Sequence, residues 1–574
     1  MQSEARVWKF PGAPTVQGRE LAGELGVSQF VAALLVDGGI GSPEAGRRFL
    51  KSEFGDLADP LGFSRMDEAC ARVHRAVAAG ESIVVYGDYD VDGMTSATLL
   101  FWVLKRLGAQ SEIFIPDRAS AGYGLNRDDI LRLREKGASL LVTVDNGVSA
   151  VDEIAYAASL GMDVIVTDHH TLPEKLPAEA IILHPRIPGQ RYPFPDLCGA
   201  GVAYKFGLAL LGTSNLPDRE EARDRFAHNC VDLVAIGTVA DMAPLVGENR
   251  ILVREGLRQL ARTEHPGLRA LLGLDRLAGL RLTTDHIGFK ICPKLNAAGR
   301  IDDHRISLEL LLARSSQTAG QLALRLERIN QARIKLVAEL MERALSMQQS
   351  WFERAFPVVV LETDKKGLVG LVAQRLKDAF HKPFLVLASD GRSATGSGRS
   401  VEGFDLIEAI TTGREHLTRF GGHMMAAGLT LDCHRIPAFA DRLEEHATGR
   451  LTSRPPAPPL ALSAVVSPET LENGLLADLD LLAPFGQGNP APLLALCNVP
   501  ISRVDKIGGT GKHVRLQSSA FPRAVSNVGF NLADEVETAM RSTSLLDLAF
   551  RFEIDQWSGR EVPQMKLQAV RPSI

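Results

Sequence analysis

The sequence has no Cys-x-x-Cys pair: its six cysteines, Cys70, Cys198, Cys230, Cys292, Cys433 and Cys497, are scattered. That scatter argues against a finger- or ribbon-type structural zinc site and against a disulfide scaffold, and it suits a reducing cytoplasm. No apolar run approaches the ~18 residues that would mark a membrane helix. The opening MQSEARVWKFPGAP has no apolar stretch of the secretory kind, so a cytoplasmic protein without a membrane partner is expected. Charge of one sign is also missing, with 64 Lys and Arg against 69 Asp and Glu and a net charge of −5. Such a balance excludes attraction to nucleic acid by the overall field and leaves only a local basic patch for that purpose. The 574 residues exceed what one hydrophobic core organises, so several domains are expected.

Residues 83–170 alternate apolar strands with helical patterns. SIVVYGDYD, SEIFIPDR, SLLVTVDNG and MDVIVTDHH read as strands, and MTSATLLFWVLKRLG as a helix closed by Gly108. That alternation predicts an α/β fold with a parallel sheet covered on both faces. Residues from about 200 to 350 read as mostly helical. Within them Leu322, Leu326, Ile329, Leu336 and Leu340 recur three, four or seven residues apart, predicting a long connector helix over 316–355. FPVVVLET, GLVGLVAQRLKDAF and PFLVLASDG predict a second, smaller α/β unit over 356–450. TSRPPAPPLAL, with four prolines, reads as a linker, and the strand-like runs beyond it predict an all-β domain over 460–574. A helical segment over 1–75, packed on a first domain at 76–315, completes the expected order.

Ligands in a parallel α/β sheet bind beyond the carboxyl ends of the strands. Four such ends are expected here. YGDYDVDG places Asp88, Asp90 and Asp92 within five residues, VTVDNG supplies Asp145, and VTDHH supplies Asp168, His169 and His170. LVAIGTVADMAPL reaches Asp241 after a further apolar run. One strand-end aspartate is ordinarily a turn former or cap. Asp88-x-Asp90-x-Asp92-Gly also resembles half of a calcium loop, but Leu99 stands where its glutamate is required. Four ends together are another matter. Carboxylates gathered in one crevice repel one another, few Lys or Arg lie in these loops, and divalent cations remove the penalty. Oxygen with imidazole donors suits manganese or magnesium, and a pair of cations about 3.5–4 Å apart both activates water and holds a phosphoryl oxygen.

GDYDVDGMTS, VTVDNGVS, VTDHH and GTVADMAPL resemble, in that order, the four motifs of the DHH phosphoesterase superfamily. FIPDRASAGYGL, LCGAGVAYKF, KLNAAGRIDD, GSGRSVEGFDL, HLTRFGGHMMAAGLTL and LAPFGQGNPAP extend the likeness to its RecJ family over roughly residues 30–570. The resemblance implies a DHH phosphoesterase domain, a DHH-associated domain joined by the long helix, and a C-terminal oligonucleotide-binding (OB) fold. It implies a single-stranded-DNA-specific 5′→3′ exonuclease of DNA recombination and repair that releases 5′-mononucleotides with two Mn2+ or Mg2+ ions.

By the same resemblance Asp88, Asp90, Asp92, Asp145, His169 and Asp241 ligate the metals, with Asp145 bridging. His170 touches the scissile phosphate or supports a ligand. Asp168 orients an imidazole, or simply caps its strand. Arg118, Ser397 and Arg399 imply a pocket for the terminal phosphate, since guanidinium grips phosphate in bidentate fashion. Arg300 lies along the strand path, and each arginine has a salt bridge as its competing role. Gly421 and Gly422 imply close backbone approach to the nucleotide, with His423 on phosphate. Lys512, His513, Arg515 and Trp557 are the candidates in the OB fold. Single-stranded DNA with a 5′ end is the implied partner, with a single-strand-binding protein and a helicase beside it, and the protein is expected to be a monomer. One departure stands out: where the RecJ family carries Trp-His-x-Gly, this chain has TDKKGLVGLVAQRL, so the contact of that histidine has no counterpart.

Two alternatives share these motifs. One is another DHH enzyme, a pyrophosphatase, cyclic-dinucleotide phosphodiesterase or oligoribonuclease, which hardly needs a C-terminal strand-binding module. The other is a non-catalytic replication scaffold, a class that loses ligands which are all present here.

Overall fold

A computed structural model describes residues 6–12, 15–116, 124–472, 474–556 and 561–573. The first sheet has five parallel strands: β1 (Ser82–Gly87), β2 (Gln110–Phe114), β3 (Ala138–Val144), β4 (Asp163–Thr167) and β5 (Ala180–Leu183). They lie in the order β2-β1-β3-β4-β5. Near-continuous β-branched runs such as IVVY and VIV leave no polar face, which suits strands covered on both sides; Val84, Tyr86, Leu141, Val164 and Val166 form part of one core. The strand order reverses between β1 and β3. That reversal opens the crevice where α/β sheets bind ligands.

Four helices frame the crevice: α1 (Val91–Arg106), α2 (Gly199–Gly212), α3 (Val231–Ala240) and α4 (Gly247–Leu260). The expected strand ending at Asp241 is instead α3. VDLVAIGTVA is apolar on every face and buried throughout Val231–Thr238, and a short apolar run of that kind does not distinguish a buried helix from a strand.

The long helix α5 (Ser316–Ser346) ends before the expected Ala355. The chain turns at Met347 so that Trp351 packs edge-on against Phe380 and Phe384 and donates its indole N–H to the Ala344 carbonyl at 3.2 Å. Burying that indole is worth more than another turn of exposed helix.

The chain forms two compact units. One includes Lys294–Ser307 and Leu324–Leu460; the other includes Trp8–Pro293, Leu308–Ala323 and the segment from Ala461 onward. Residues 294–307, expected with the first sheet, therefore group with the second. That second sheet contains β6 (Val358–Glu362), β7 (Phe384–Ser389), β8 (Ser393–Arg399), β9 (Leu417–Gly422) and β10 (Ala426–Asp432), with helix α6 (Val369–Phe380) after β6. Its order is β9-β10-β8-β7-β6, parallel only between β6 and β7.

Beyond the proline-rich stretch, α7 (Leu475–Leu482) precedes a seven-stranded sheet. Its strands are β11 (Ala464–Val465), β12 (Leu494–Pro500), β13 (Arg503–Ile507), β14 (His513–Gln517), β15 (Ser526–Gly529), β16 (Leu545–Asp555) and β17 (Val562–Pro572). Leu494, Leu496, Val514, Leu548, Phe550 and Met565 fill its core. Among the described residues no helix is long and apolar enough to cross a membrane.

Candidate metal centre

Asp88 follows β1 directly. Asp90 is the N-cap of α1 and accepts the Gly93 N–H at 2.9 Å. Gly93 is required because a Cβ there would lie 2.6 Å from the Asp88 carbonyl oxygen. Asp92, in the first turn of α1, is 1% exposed and accepts the N–H groups of Gly199 (2.7 Å) and Ala200 (2.8 Å) at the start of α2. The start of α2 favours a carboxylate there, but burial, with the charge of Asp90, still raises the Asp92 carboxyl above its ordinary range against the pull of His169 and the Ala200 N–H.

Asp145 sits just past β3 with φ +61°. A non-glycine residue in that region persists only where its surroundings over-determine it. Here the Asp145 N–H continues the ladder to the Thr167 carbonyl at 2.9 Å while the side chain turns into the crevice. Asp168, past β4, accepts from the backbone N–H of His169 (2.7 Å), His170 (3.1 Å) and Val148 (2.9 Å), and meets His170 Nδ1 at 2.8 Å. It acts both as a strand-end cap and as the group that orients an imidazole. Asp241 closes α3, with its Oδ2 3.8 Å from His169 Nδ1. His169 Nε2 lies 3.0 Å from Asp145 Oδ1 and 3.8 Å from Asp92 Oδ2.

Three overlapping donor sets result: Asp88, Asp90 and Asp145; Asp92, His169 and Asp241; and Asp145, His169 and His170, with the atoms of each set within 4.8 Å of one another. Asp145 belongs to two of them. The electrostatics explain what such a gathering requires. Burial, then the charges of Asp92, Asp90, Asp88 and Asp241, raise the Asp145 carboxyl well above its ordinary range. Burial, then Asp92 and Asp90, push Asp241 up to about 8. Carboxylates so placed ionise together only beside a cation, and oxygen donors with one imidazole fit manganese or magnesium.

The adjacent histidines have opposite fates. Burial holds His169 down to about 4 against the pull of Asp92, so its ring is neutral and offers a lone pair. His170 overcomes its own burial through the Asp168 bond and charge, then Asp241 and Asp92, and rises to about 9. Asp168 is correspondingly held down to about 2, burial opposing and His170 and the Val148 N–H lowering it. Asp168→Asn keeps the shape and removes the charge that makes His170 cationic. Groups that orient metal-site histidines carry about 10–100-fold in affinity or activity. Nuclease rates over a Mn2+ titration are expected to fall by that factor, and a loss under twofold would reduce Asp168 to a cap.

Sequence reasoning missed several supports. A Cβ on Gly199 would lie 2.6 Å from Asp145 Cβ, and one on Gly237 would lie 2.6 Å from Asp92 Oδ1, so two helices approach the acids only as glycine. Buried His184 accepts the Arg186 N–H on Nδ1 at 3.0 Å and contacts the His170 carbonyl through Nε2 at 2.8 Å. Glycine-rich LCGAG and the imidazole in ILHPR were the visible signals.

The other candidates lie elsewhere. Arg118 and Trp557 fall outside the described residues. Arg300, Ser397, Arg399, Gly422 and His423 belong to the unit of the second sheet. Arg399 Nη1 donates to Ser397 Oγ at 2.8 Å. A Cβ on Gly370, at the start of α6, would lie 3.1 Å from both Ser397 Oγ and Arg399 Nη2. Arg300 Nη1 reaches the Gly367 carbonyl at 3.4 Å. In the variant segment beside it, Lys365 pairs with Asp364 at 2.8 Å. Gly422 has φ +143°, and His423, exposed, donates its N–H to the Ala426 carbonyl at 2.8 Å in the hairpin joining β9 to β10. In the C-terminal sheet Lys512 and Arg515 are exposed, and the His513 ring stands 5.4 Å from Phe530. Phe530 is half exposed.

Comparison with known proteins gives three family models: the DHH family N-terminal domain over 82–238, the DHHA1 domain over 356–448 and the RecJ OB domain over 462–569. The chain is 36% identical to the single-stranded-DNA-specific exonuclease RecJ of Bacillus subtilis, over 98% of this chain and 70% of that one. It is similar to crystal structures of RecJ from Thermus thermophilus. With Mn2+ the TM-score is 0.82 at 29% identity, covering 99% of this chain and 80% of that one; with Mg2+ it is 0.76 at 27%, covering 99% and 79%.

Proposed function

Because the chain belongs to the RecJ family of single-stranded-DNA-specific exonucleases, we propose that it hydrolyses single-stranded DNA from the 5′ end, releasing 5′-mononucleotides, with a pair of Mn2+ or Mg2+ ions. One observation carries the reading: five buried or half-buried aspartates and a neutral imidazole meet at the topological switch point of a parallel sheet. When bound, the cations supply an activated water and neutralise charge on the phosphoryl group.

The chain's own residues do the rest. Asp145 is shared by the set with Asp88 and Asp90 and the set with His169 and His170, and His169 in turn links it to Asp92 and Asp241. His169 contributes its lone pair without a proton to lose. His170, cationic on Asp168, places positive charge beside the negative charge that a non-bridging phosphate oxygen carries in the transition state. Ser397 and Arg399, with Arg118, receive the terminal phosphate. Arg300, Gly422 and His423 follow the strand, and Lys512, His513, Arg515 and Trp557 hold its distal part. A monomer in the cytoplasm, supplied with single strands by a helicase and a single-strand-binding protein, completes the proposal.

The test is a directional digestion of a long oligonucleotide labelled at either end, beside a dinucleotide, in Mn2+ and in EDTA. Mononucleotides are expected from the 5′ end alone, with no product in EDTA. A preference for the dinucleotide would place the protein among the small-substrate DHH phosphodiesterases.

A further inference from the structure

The segment LAPFGQGNPAP supplies none of the donors of the metal centre, yet it is tied closely to the turn that follows Asp241. That turn is tight. The Met242 N–H donates to the Val239 carbonyl at 3.2 Å and the Ala243 N–H to the Thr238 carbonyl at 3.1 Å, with Met242 at φ +60°. A methionine in that conformation is held there by its neighbours rather than by its own preference.

The neighbours come from the C-terminal segment. The Leu245 N–H donates to the Gln487 carbonyl at 2.7 Å. A Cβ on Gly486 would lie 2.7 Å from Leu245 Cδ1, and one on Gly488, at φ +73°, would lie 3.1 Å from Pro244 Cβ. Two glycines therefore let one backbone lie flat on the other. The loop is itself braced: Asn489 Nδ2 donates to the Leu482 and Pro484 carbonyls at 2.9 and 2.8 Å, and Thr284 Oγ1 to the Phe485 carbonyl at 2.6 Å. Arg250, 2% exposed, donates Nη1 to the Leu482 carbonyl at 2.8 Å and Nη2 to the Leu481 carbonyl at 3.0 Å. Asn249 Nδ2 holds the Pro244 carbonyl from the opposite side at 3.1 Å.

We propose that the loop Phe485–Asn489, at the root of the C-terminal domain, is a positioning element for Asp241. It fixes the Met242–Leu245 turn and thereby sets the affinity of the cation held by Asp92, His169 and Asp241. This rests on the reading of Asp241 as a metal ligand. Of the three acidic segments in the centre, the Asp88–Asp92 and Asp145 segments are anchored by the first sheet and α1. Asp241 hangs on a helix end whose continuation is secured from a region more than two hundred residues downstream.

The test counts Mn2+ bound to the full-length protein from the electron paramagnetic resonance signal of the free ion, with DNA affinity measured separately. The unaltered chain is expected to bind two ions. Gly486→Ala is expected to keep one site and weaken the other tenfold or more, with nuclease activity recovering at high Mn2+ and DNA affinity unchanged. Adding Leu245→Ala removes the atom that the new Cβ meets, and the double variant is expected to bind Mn2+ as Leu245→Ala alone does. Thr284→Val adds no clash, and it is expected to weaken the same site two- to fivefold, so the test stands even if Gly486→Ala misfolds. Wild-type Mn2+ affinity in both Gly486→Ala and Thr284→Val, or a double variant that binds Mn2+ more weakly than Leu245→Ala alone, overturns the inference alone. No Mn2+ bound by the unaltered chain overturns the metal reading and this inference with it.

Discussion

Asp145→Asn is expected to abolish nuclease activity and, in EDTA, to make the protein more stable. The two effects have one cause. Asp145 lies 2% exposed among Asp88, Asp90, Asp92 and Asp241, and its carboxyl is pushed up by burial and by each of them. Without a cation the native fold carries the repulsion; the amide of asparagine removes it while preserving the 3.0 Å approach of His169 Nε2. A gain of about 1–2 kcal/mol, within the ordinary range of pairwise charge effects in partly dry sites, corresponds to a rise of a few degrees in melting temperature. Mn2+ reverses the order, because a ligand at a hundred times its dissociation constant stabilises the state that binds it by about 2.7 kcal/mol, and the variant has lost a shared ligand. Loss of the shared ligand is expected to lower kcat/KM by at least about 10³-fold, roughly 4 kcal/mol of transition-state stabilisation. Melting curves in EDTA and in Mn2+ should therefore cross between the two proteins. Parallel curves would mean that Asp145 neither repels its neighbours nor holds a metal.

That reversal shows which parts of the centre were legible in the sequence. Asp88, Asp90, Asp92, Asp145 and the Asp-His-His run follow β-branched strands, and a parallel sheet carries whatever follows its strands to one rim. Asp241 was expected at a strand end and stands instead at the end of a helix. VDLVAIGTVA is uniformly apolar, so its period gave no choice between helix and strand, and only packing between α1, α2 and α4 makes it α3. The glycines were hidden for a related reason. Gly199 and Gly237 matter through what a Cβ would strike on chain segments 54 and 145 residues away, and no local pattern encodes a distance of that kind. The grouping of Arg300 with the second sheet was equally out of reach, because KLNAAGRIDD reads as the continuation of a helical block. The end of α5 is a similar case: its heptad-like spacing runs on past Ser346, and the stop comes from Trp351 finding Phe380 and Phe384.

The second large effect is expected at Arg399, and it should appear as a change in preference rather than in overall rate. Ser397 and Arg399 lie two residues apart on β8, so their side chains share one face of the strand. The start of α6 approaches that face so closely that a Cβ on Gly370 would lie 3.1 Å from both side chains. A hydroxyl, a guanidinium and the N-terminus of a 12-residue helix form a cradle suited to a phosphate monoester. A terminal phosphate carries more negative charge than an internal diester, so in its proposed role this cradle is expected to favour a 5′-phosphorylated end over a 5′-hydroxyl one. A hydrogen bond to a charged group is worth about 1.5–3 kcal/mol, which converts to roughly 10–150-fold in kcat/KM. Arg399→Ala is expected to lose that factor on 5′-phosphorylated single strands and almost nothing on 5′-hydroxyl ones, bringing the ratio of the two close to one. Ser397→Ala removes a neutral partner and is expected to lose about two- to tenfold. Arg399→Lys retains the charge without the fork and should fall between. Mn2+ binding should be unaffected in all three, since none belongs to the acidic centre. Equal losses on the two substrates would instead make Arg399 a structural brace for Ser397 and Gly398, whose hydroxyl and carbonyl it already holds at 2.8 and 2.7 Å, and would send the search for the terminal-phosphate pocket elsewhere.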